Sequence, residues 1–177
     1  MTDSSAIDPS FPIGKVQYPD APDLAAYSTA LQDSARELEA LVTGLGAAQL
    51  ELTYRPGSFT ARQLIHHIAD SHELGFMRFR WGLTEQAPTV LPMNQDAWAA
   101  LADYALPPAV SLPLHLAVNA RWVAVLGDTD PDAMQRGIVH PQEGRMTLWR
   151  LLAKHEWHVR HHTAQLRLAL GAFPSSA

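Results

Sequence analysis

The sequence predicts an all-α fold, a four-helix bundle whose helices are joined by long decorated loops. The chain has thirteen prolines and ten glycines. They gather in a few stretches and leave long proline-free intervals, the pattern of helices separated by loops. Within those intervals apolar residues recur three or four positions apart, which places them on one face of an α-helix. Because 177 residues fall within the usual size of one domain, we expect residues 1–177 to form a single domain.

The first half of the chain contains two of the four long helices. Apolar spacing predicts the first from about Asp23 to Val42 and a short amphipathic piece at about Ala47–Leu52. The second should begin near Thr60, a residue type favoured at helix N-caps, and run to about Thr84. Residues 1–20 are predicted to form an extended N-terminal segment, and residues 171–177 a short tail.

The second half supplies the other two long helices and the longest connections. The first of these connections is long enough to need structure of its own, and a short helix is predicted there at Gln95–Tyr104. The third long helix covers Val110–Leu126, where Pro113 is tolerated because it lies in the first turn. Residues 127–146 are predicted to hold a short helical turn followed by a loop or small hairpin. The fourth long helix runs from its N-cap Thr147 to Leu170.

Composition argues against several classes of partner. The formal net charge is −5 and there is no run of lysines or arginines, so we expect no nucleic-acid partner. No apolar run approaches the roughly 20 residues that span a bilayer, so we expect no membrane partner. The chain has no cysteine, which removes disulfides and thiolate metal sites and fits a reducing cytoplasm, where we expect the protein to act.

Histidine is the residue that most strongly suggests a function. Residues three or four apart share a helical face, so His158 and His162 are neighbours one turn apart. One helix offers two imidazoles to one metal ion by this spacing. On the helical wheel His155 lies with His162 in the apolar stripe and His158 on its edge, whereas His161 points elsewhere and should be exposed. Of nine histidines, those clustered on the second and fourth long helices are His66, His67, His72, His155, His158, His161 and His162.

The second long helix supplies the remaining candidate ligands. Its apolar stripe contains His72 near the middle and His67 at one edge, while His66 lies on the opposite side. Periodicity slightly favours His72 as the inner residue but does not choose the ligand. Several imidazoles buried together are costly unless something accepts their lone pairs, and a divalent cation does so.

The type of ligand narrows the choice of metal. Neutral imidazole suits zinc, nickel, copper or iron, and a three-histidine set leaves positions open for water or substrate. We expect one divalent ion per chain, zinc first and nickel as the alternative. Zinc on three protein nitrogens lowers the pKa of bound water to about 7 and can stabilise a thiolate, so such a site is suited to chemistry.

Several segments of the chain resemble a known family. FTARQLIHHIADSH, MRFRWGLTEQAPT, NARWVAVL, VHPQEG and KHEWHVRHH occur in that order after FPIGK, and together they resemble the YfiT-like branch of the DinB-like family. The resemblance implies a four-helix bundle with one metal held by three histidines, here His67, His158 and His162. His72 and His155 then become candidates to orient a metal ligand or a bound water without binding the ion themselves. His72 is the replacement if His67 is not a ligand.

Three functions remain open from the sequence. The resemblance implies a metal-dependent hydrolase, which needs a group to manage the proton; the nearby acidic candidates are Asp70, Glu73 and Glu156. Other DinB-like proteins are thiol S-transferases, in which the metal activates bacillithiol, mycothiol or glutathione. The third alternative is a non-enzymatic metal-binding protein. His140 is expected to lie over the mouth of the site.

The expected partners are a small-molecule substrate and a second copy of the chain. The YfiT-like resemblance implies a homodimer, and a low-molecular-weight thiol is the cosubstrate of the transferase alternative. Trp81, Trp98 and Trp149 are candidates for an exposed dimer interface.

Overall fold

The computed structural model describes residues 7–19 and 23–173 and is mostly helical. Residues 7–19 of the predicted N-terminal segment form turns and coil. The rest of that segment and residues 174–177 of the predicted tail lie outside the described part of the chain. The helices are α1 (Leu24–Val42), α2 (Ala47–Leu50), α3 (Ala61–Thr84), α4 (Gln95–Ala99), α5 (Ser111–Gly127) and α6 (Leu148–Ala169); the strands are β1 (Gly137–His140) and β2 (Gly144–Thr147).

Three of the four long helices begin at a residue whose side chain caps them. The Asp23 carboxylate accepts a hydrogen bond from the Ala25 backbone N–H at 2.8 Å. Thr60 and Gln63 form a reciprocal capping box at the start of α3, and the Thr147 hydroxyl accepts the Arg150 N–H at 3.3 Å. Each contact satisfies a backbone donor that the first helical turn leaves free. The predicted bundle of four long helices is confirmed.

The four long helices form a bundle in which consecutive helices are not always neighbours. Helix α3 packs against α5 and α6, and α1 packs against the same two helices. The pairs α1 with α3 and α5 with α6 are therefore diagonal, and the chain needs long connections to join them. No helix in the described part of the chain is long and apolar enough to cross a bilayer.

Two clusters of buried apolar residues hold the bundle together. One joins α1, α3, α5 and α6 to the β-hairpin; its largest fully buried members are Trp122, Phe79, Leu31, Leu126, Met134, Ile138, Leu148 and Leu151. The other joins α1, α3 and the later part of α6; it contains Leu38, Leu64, Ile65, Ile68, Val159 and Leu166.

The connections carry structure of their own. Strands β1 and β2 form an antiparallel hairpin, and the segment after α3 runs beside it, with the Val90 N–H bonded to the Val139 carbonyl at 3.0 Å. The helix predicted at Gln95–Tyr104 is wrong in its extent. Extended backbone at Leu101 ends α4 and leads into a separate 3₁₀ turn, which lets the Tyr104 hydroxyl donate to the Asp70 carboxylate at 2.7 Å.

Helices α3 and α6 run antiparallel and approach closely at two glycines. A β-carbon at Gly75 would lie within 2.6 Å of three ring atoms of His155. One at Gly82 would meet a methyl group of Leu148 at 2.5 Å. Both distances are too short for a real side chain, so glycine at these positions sets the separation of the two helices.

Substituting Gly75 tests this contact. Gly75→Ala should lower the free energy of unfolding, because overpacking costs about 1–3 kcal/mol and outweighs the about 1 kcal/mol by which Ala exceeds Gly in a helix. Gly127→Ala is the matched control, since nothing lies within 4 Å of its β-carbon. Urea unfolding of both variants, and of Gly75→Ala combined with His155→Ala, measures the effect. Equal stability of Gly75→Ala and Gly127→Ala would contradict the close approach.

Candidate metal centre

The antiparallel packing of α3 and α6 brings three histidines together. His67 comes from α3, and His158 and His162 come from successive turns of α6. The Nε2 atoms of His67 and His158 lie 3.3 Å apart, and those of His158 and His162 lie 3.0 Å apart. One ring nitrogen from each of the three residues lies within 4.8 Å of the others. This set of three could hold a metal ion.

Neighbouring side chains orient two of these rings. The His162 Nδ1 lies 2.7 Å from the Gln165 side-chain oxygen, which only accepts, so Nδ1 carries the proton. The Ser71 hydroxyl donates to the Ile68 carbonyl at 3.2 Å and therefore accepts from the His158 Nδ1 at 3.3 Å. With Nδ1 protonated, the Nε2 lone pairs of His158 and His162 face the centre of the triad.

Burial keeps the triad neutral. Desolvation lowers the pKa of His67 to about 4. It also holds the pKa values of His158 and His162 well below the ordinary histidine value, and the neighbouring imidazoles lower them further. Neutral imidazole is the form that binds a metal.

The geometry fits a divalent ion. Zinc–nitrogen distances of about 2.0–2.1 Å in a tetrahedral site imply ligand separations of about 3.3 Å. The two measured separations of 3.3 and 3.0 Å are close to that value. Without a cation, lone pairs that converge in this way repel one another, so the donor set suits a divalent ion in its chemistry, and these two separations suit one in size.

The alternative ligand His72 lies elsewhere. It is buried, as the helical wheel predicts, but its ring contacts His115 at 4.7 Å and Trp122 at 5.0 Å between centroids. Both contacts belong to α5, not α6. Neither ring nitrogen of His72 has a hydrogen-bond partner among the described residues. The structure therefore brings His67, and not His72, to the pair on α6.

The prediction that His161 is exposed is wrong. His161 is 5% exposed, because Trp157 stacks on its ring at 4.5 Å and Phe11 of the N-terminal segment approaches it at 5.9 Å. His66 does lie on the opposite side of α3, but it is buried there, and its Nδ1 lies 2.6 Å from the Ser111 hydroxyl oxygen. Helical periodicity could not foresee the contact of Phe11 with His161 or of Ser111 with His66, since Phe11 and Ser111 come from other segments of the chain.

A cavity of about 180 Å³ opens beside the triad. One face of α3 lines the cavity with His67 and with the residues four, seven and eleven positions after it, Ser71, Leu74 and Arg78. Helix α6 contributes Lys154, His155 and His158, and the hairpin contributes His140, Gln142 and Glu143. His140 lies at the cavity, as predicted.

None of the predicted acidic groups lines this cavity. Asp70 accepts a hydrogen bond from the Tyr104 hydroxyl. Glu73 is exposed, and Glu156 is buried in an ion pair with Arg160. The acid that does line it is Glu143, which sequence reasoning missed because the hairpin turn brings it there. The four-residue spacing from His67 to Ser71 and the continuing stripe to Arg78 were visible in the sequence.

The charged groups of the cavity are unequally paired. The Lys154 ammonium contacts both Glu143 carboxylate oxygens at 2.6 and 2.7 Å. Burial alone would raise the pKa of Glu143, but the hydrogen bond and charge of Lys154 lower it overall. Arg78 donates to the Leu91 carbonyl. Burial lowers the pKa of Arg78, although an arginine stays protonated in proteins.

Comparison with known proteins gives the family. Residues 30–166 match the model of the DinB superfamily. The chain belongs to this family, and the resemblance read from its motifs is confirmed.

Two relatives of this chain are described as metal-dependent hydrolases, and a less similar structure shares the fold. A protein of Oceanobacillus iheyensis named "putative metal-dependent hydrolase" is 38% identical over 136 residues, 77% of this chain and 79% of that protein. YfiT from Bacillus subtilis, described as "a probable metal-dependent hydrolase with an unusual four-helix bundle topology", superposes with a TM-score of 0.86 at 32% identity and covers 92% of this chain and 98% of its own. A mycothiol-dependent maleylpyruvate isomerase shares the fold, with a TM-score of 0.67 at 21% identity over 83% of this chain and 61% of that chain.

Proposed function

We propose that His67, His158 and His162 bind one divalent metal ion, zinc in the first place and nickel as the alternative. The observation that carries this proposal is the convergence of three neutral imidazoles, one buried and two half-buried, two of them with the outer nitrogen already hydrogen-bonded. Three protein ligands leave room for water or substrate beside the ion.

Single substitutions test the ligand set. His67→Ala, His158→Ala and His162→Ala should each lower zinc affinity by more than the about 10–100-fold caused by loss of an outer partner of a ligand. His72→Ala is the matched control, because it removes another buried histidine of α3 that contacts α5. Elemental analysis after zinc loading and dialysis gives the stoichiometry. Full zinc content in the His158 and His162 variants would overturn the assignment, as would loss of zinc in His72→Ala.

We propose further that the protein is a metal-dependent hydrolase of a small molecule. A divalent ion at the triad would lower the pKa of water that it binds and polarise a substrate carbonyl. Ser71 and Gln165 hold two of the ligand rings in place. The cavity beside the triad, at about 180 Å³, is smaller than the about 300 Å³ typical of the smallest drug-sized sites, which favours a small substrate.

His140 is the group that we assign to accept a proton in this cavity. It lines the cavity wall and is not one of the three proposed ligands. Burial lowers its pKa, so the ring is neutral near pH 7 and able to accept. Glu143, with one carboxylate oxygen 3.7 Å from the His140 Nδ1, would stabilise the protonated ring.

A specific observation supports the thiol S-transferase as the second candidate. The carboxylate that lines the cavity is engaged by Lys154, so water has no free carboxylate base there among the described lining residues. A thiol has a pKa of about 8.5, far below the pKa of water, and needs less assistance to ionise beside a metal.

Activity assays separate these functions. Protein loaded with zinc, nickel or manganese should hydrolyse members of a panel of small esters and amides without added thiol, and His158→Ala should abolish turnover. Conjugation of monochlorobimane that needs both the metal and bacillithiol, mycothiol or glutathione would instead support the transferase. If every loaded form is inactive in both assays, the hydrolase proposal is contradicted and a non-enzymatic metal-binding role is favoured.

The homodimer and the cytoplasmic location stay predictions. Of the three tryptophans considered for an interface, Trp81 and Trp98 are 40% and 37% exposed. Trp149 is half-buried, with its ring 6.4 Å from that of Tyr27.

A further inference from the structure

Arg78 is a buried cation with no counter-ion in the part of the chain that the structure describes. Its side chain lines the cavity beside the triad, and the residue is 8% exposed. One guanidinium nitrogen donates to the Leu91 carbonyl. Within residues 7–19 and 23–173, the Arg78 Nε–H has no hydrogen-bond partner and Arg78 forms no ion pair. Burying a charge without a partner raises the free energy of the folded protein. Arginine does not avoid this by losing its proton, because it stays protonated in proteins.

The other cation of the cavity is in a different state. Both oxygens of Glu143 contact the Lys154 ammonium, so this pair is close to neutral. Glu143 acts on Arg78 through its charge but does not come within ion-pair distance of it. Among the residues that the structure describes, the positive charge of the cavity that is left without a partner is therefore that of Arg78.

We propose that Arg78 determines specificity by binding a carboxylate of the substrate. The guanidinium presents its N–H groups in a planar fork that matches a carboxylate. The face of α3 that carries His67 also carries Arg78, and Ser71 and Leu74 line the cavity between them. A substrate would thus place its carboxylate at Arg78 and its reactive bond toward the triad. Interpreting the anion as part of a substrate rests on the proposed hydrolase function, whereas anion binding at Arg78 does not.

Charge and size favour a carboxylate over a phosphate. One unpaired arginine balances one negative charge. A carboxylate brings one such charge, whereas a doubly charged phosphate brings a second, which the near-neutral Glu143–Lys154 pair does not balance. The cavity volume of about 180 Å³ suits a small carboxylic acid derivative, such as an N-acyl amino acid or a carboxylated ester.

Nuclear magnetic resonance of the Arg78 Nε–H tests the proposal directly. The signal is assigned as the one that disappears in Arg78→Lys and persists in Arg80→Lys, a matched exposed arginine on the same helix. Metal-free and zinc-loaded wild-type protein are each titrated with acetate, with acetamide as the neutral isostere, and with inorganic phosphate. We expect acetate to shift the Arg78 signal saturably, with a Kd on the order of 10 mM, in both forms of the protein.

Each outcome bears on one part of the proposal. A saturable shift with acetate and none with acetamide supports it. No shift with acetate, a shift only in the zinc-loaded protein, or a response to acetamide equal to that of acetate would overturn it. Tighter binding of phosphate than of acetate would overturn the assignment of a carboxylate. If acetate shifts the Arg78 signal saturably but the protein hydrolyses no substrate, anion binding at Arg78 is supported and only the proposed hydrolase function is contradicted.

Discussion

The antiparallel packing of α3 on α6 is the constraint on which the site depends. Glycines at positions 75 and 82 let the two helices approach until His155 and Leu148 lie against bare backbone. This separation brings a ring nitrogen of α3 within 3.3 Å of one from α6. A wider gap would leave His67 unable to meet His158, and the cavity lined by the same two helices would change shape with it.

The triad has polar features that packing of an apolar core does not require. One buried and two half-buried imidazoles lie together, and the outer nitrogens of His158 and His162 are paired with Ser71 and Gln165. Burial holds the rings neutral, so their repulsion is that of converging lone pairs and not of full charges. A bound cation would relieve this repulsion and would contribute its binding free energy to the stability of the folded state.

The N-terminal segment adds a contact to the same ligands. The Gln165 amide that accepts from His162 donates weakly to the Ser10 carbonyl at 3.4 Å, and the Trp157 indole donates to the Gly14 carbonyl at 3.2 Å. Residues 7–19 therefore cover the face of α6 on which His161 lies. This cover explains why a helix face that the wheel leaves open to solvent is buried.

The sequence predicted the elements whose information is local. Cap residues and apolar spacing located the long helices, and the four-residue interval between His158 and His162 indicated a shared face. Contacts between distant segments could not be predicted in this way. A helical wheel ranks positions by burial but does not say which neighbour covers them: His72 faces α5 and His67 faces α6, although both are buried. Glu143 reaches the cavity through a hairpin register that no periodicity encodes.

The most direct test of the central claim is a crystal structure of the zinc-loaded protein with anomalous diffraction measured on both sides of the zinc absorption edge. A single anomalous peak within about 2.0–2.1 Å of the Nε2 atoms of His67, His158 and His162 is the predicted result. A peak placed against His72 and His115, or the absence of any peak at the triad in protein that carries stoichiometric zinc, would contradict the account.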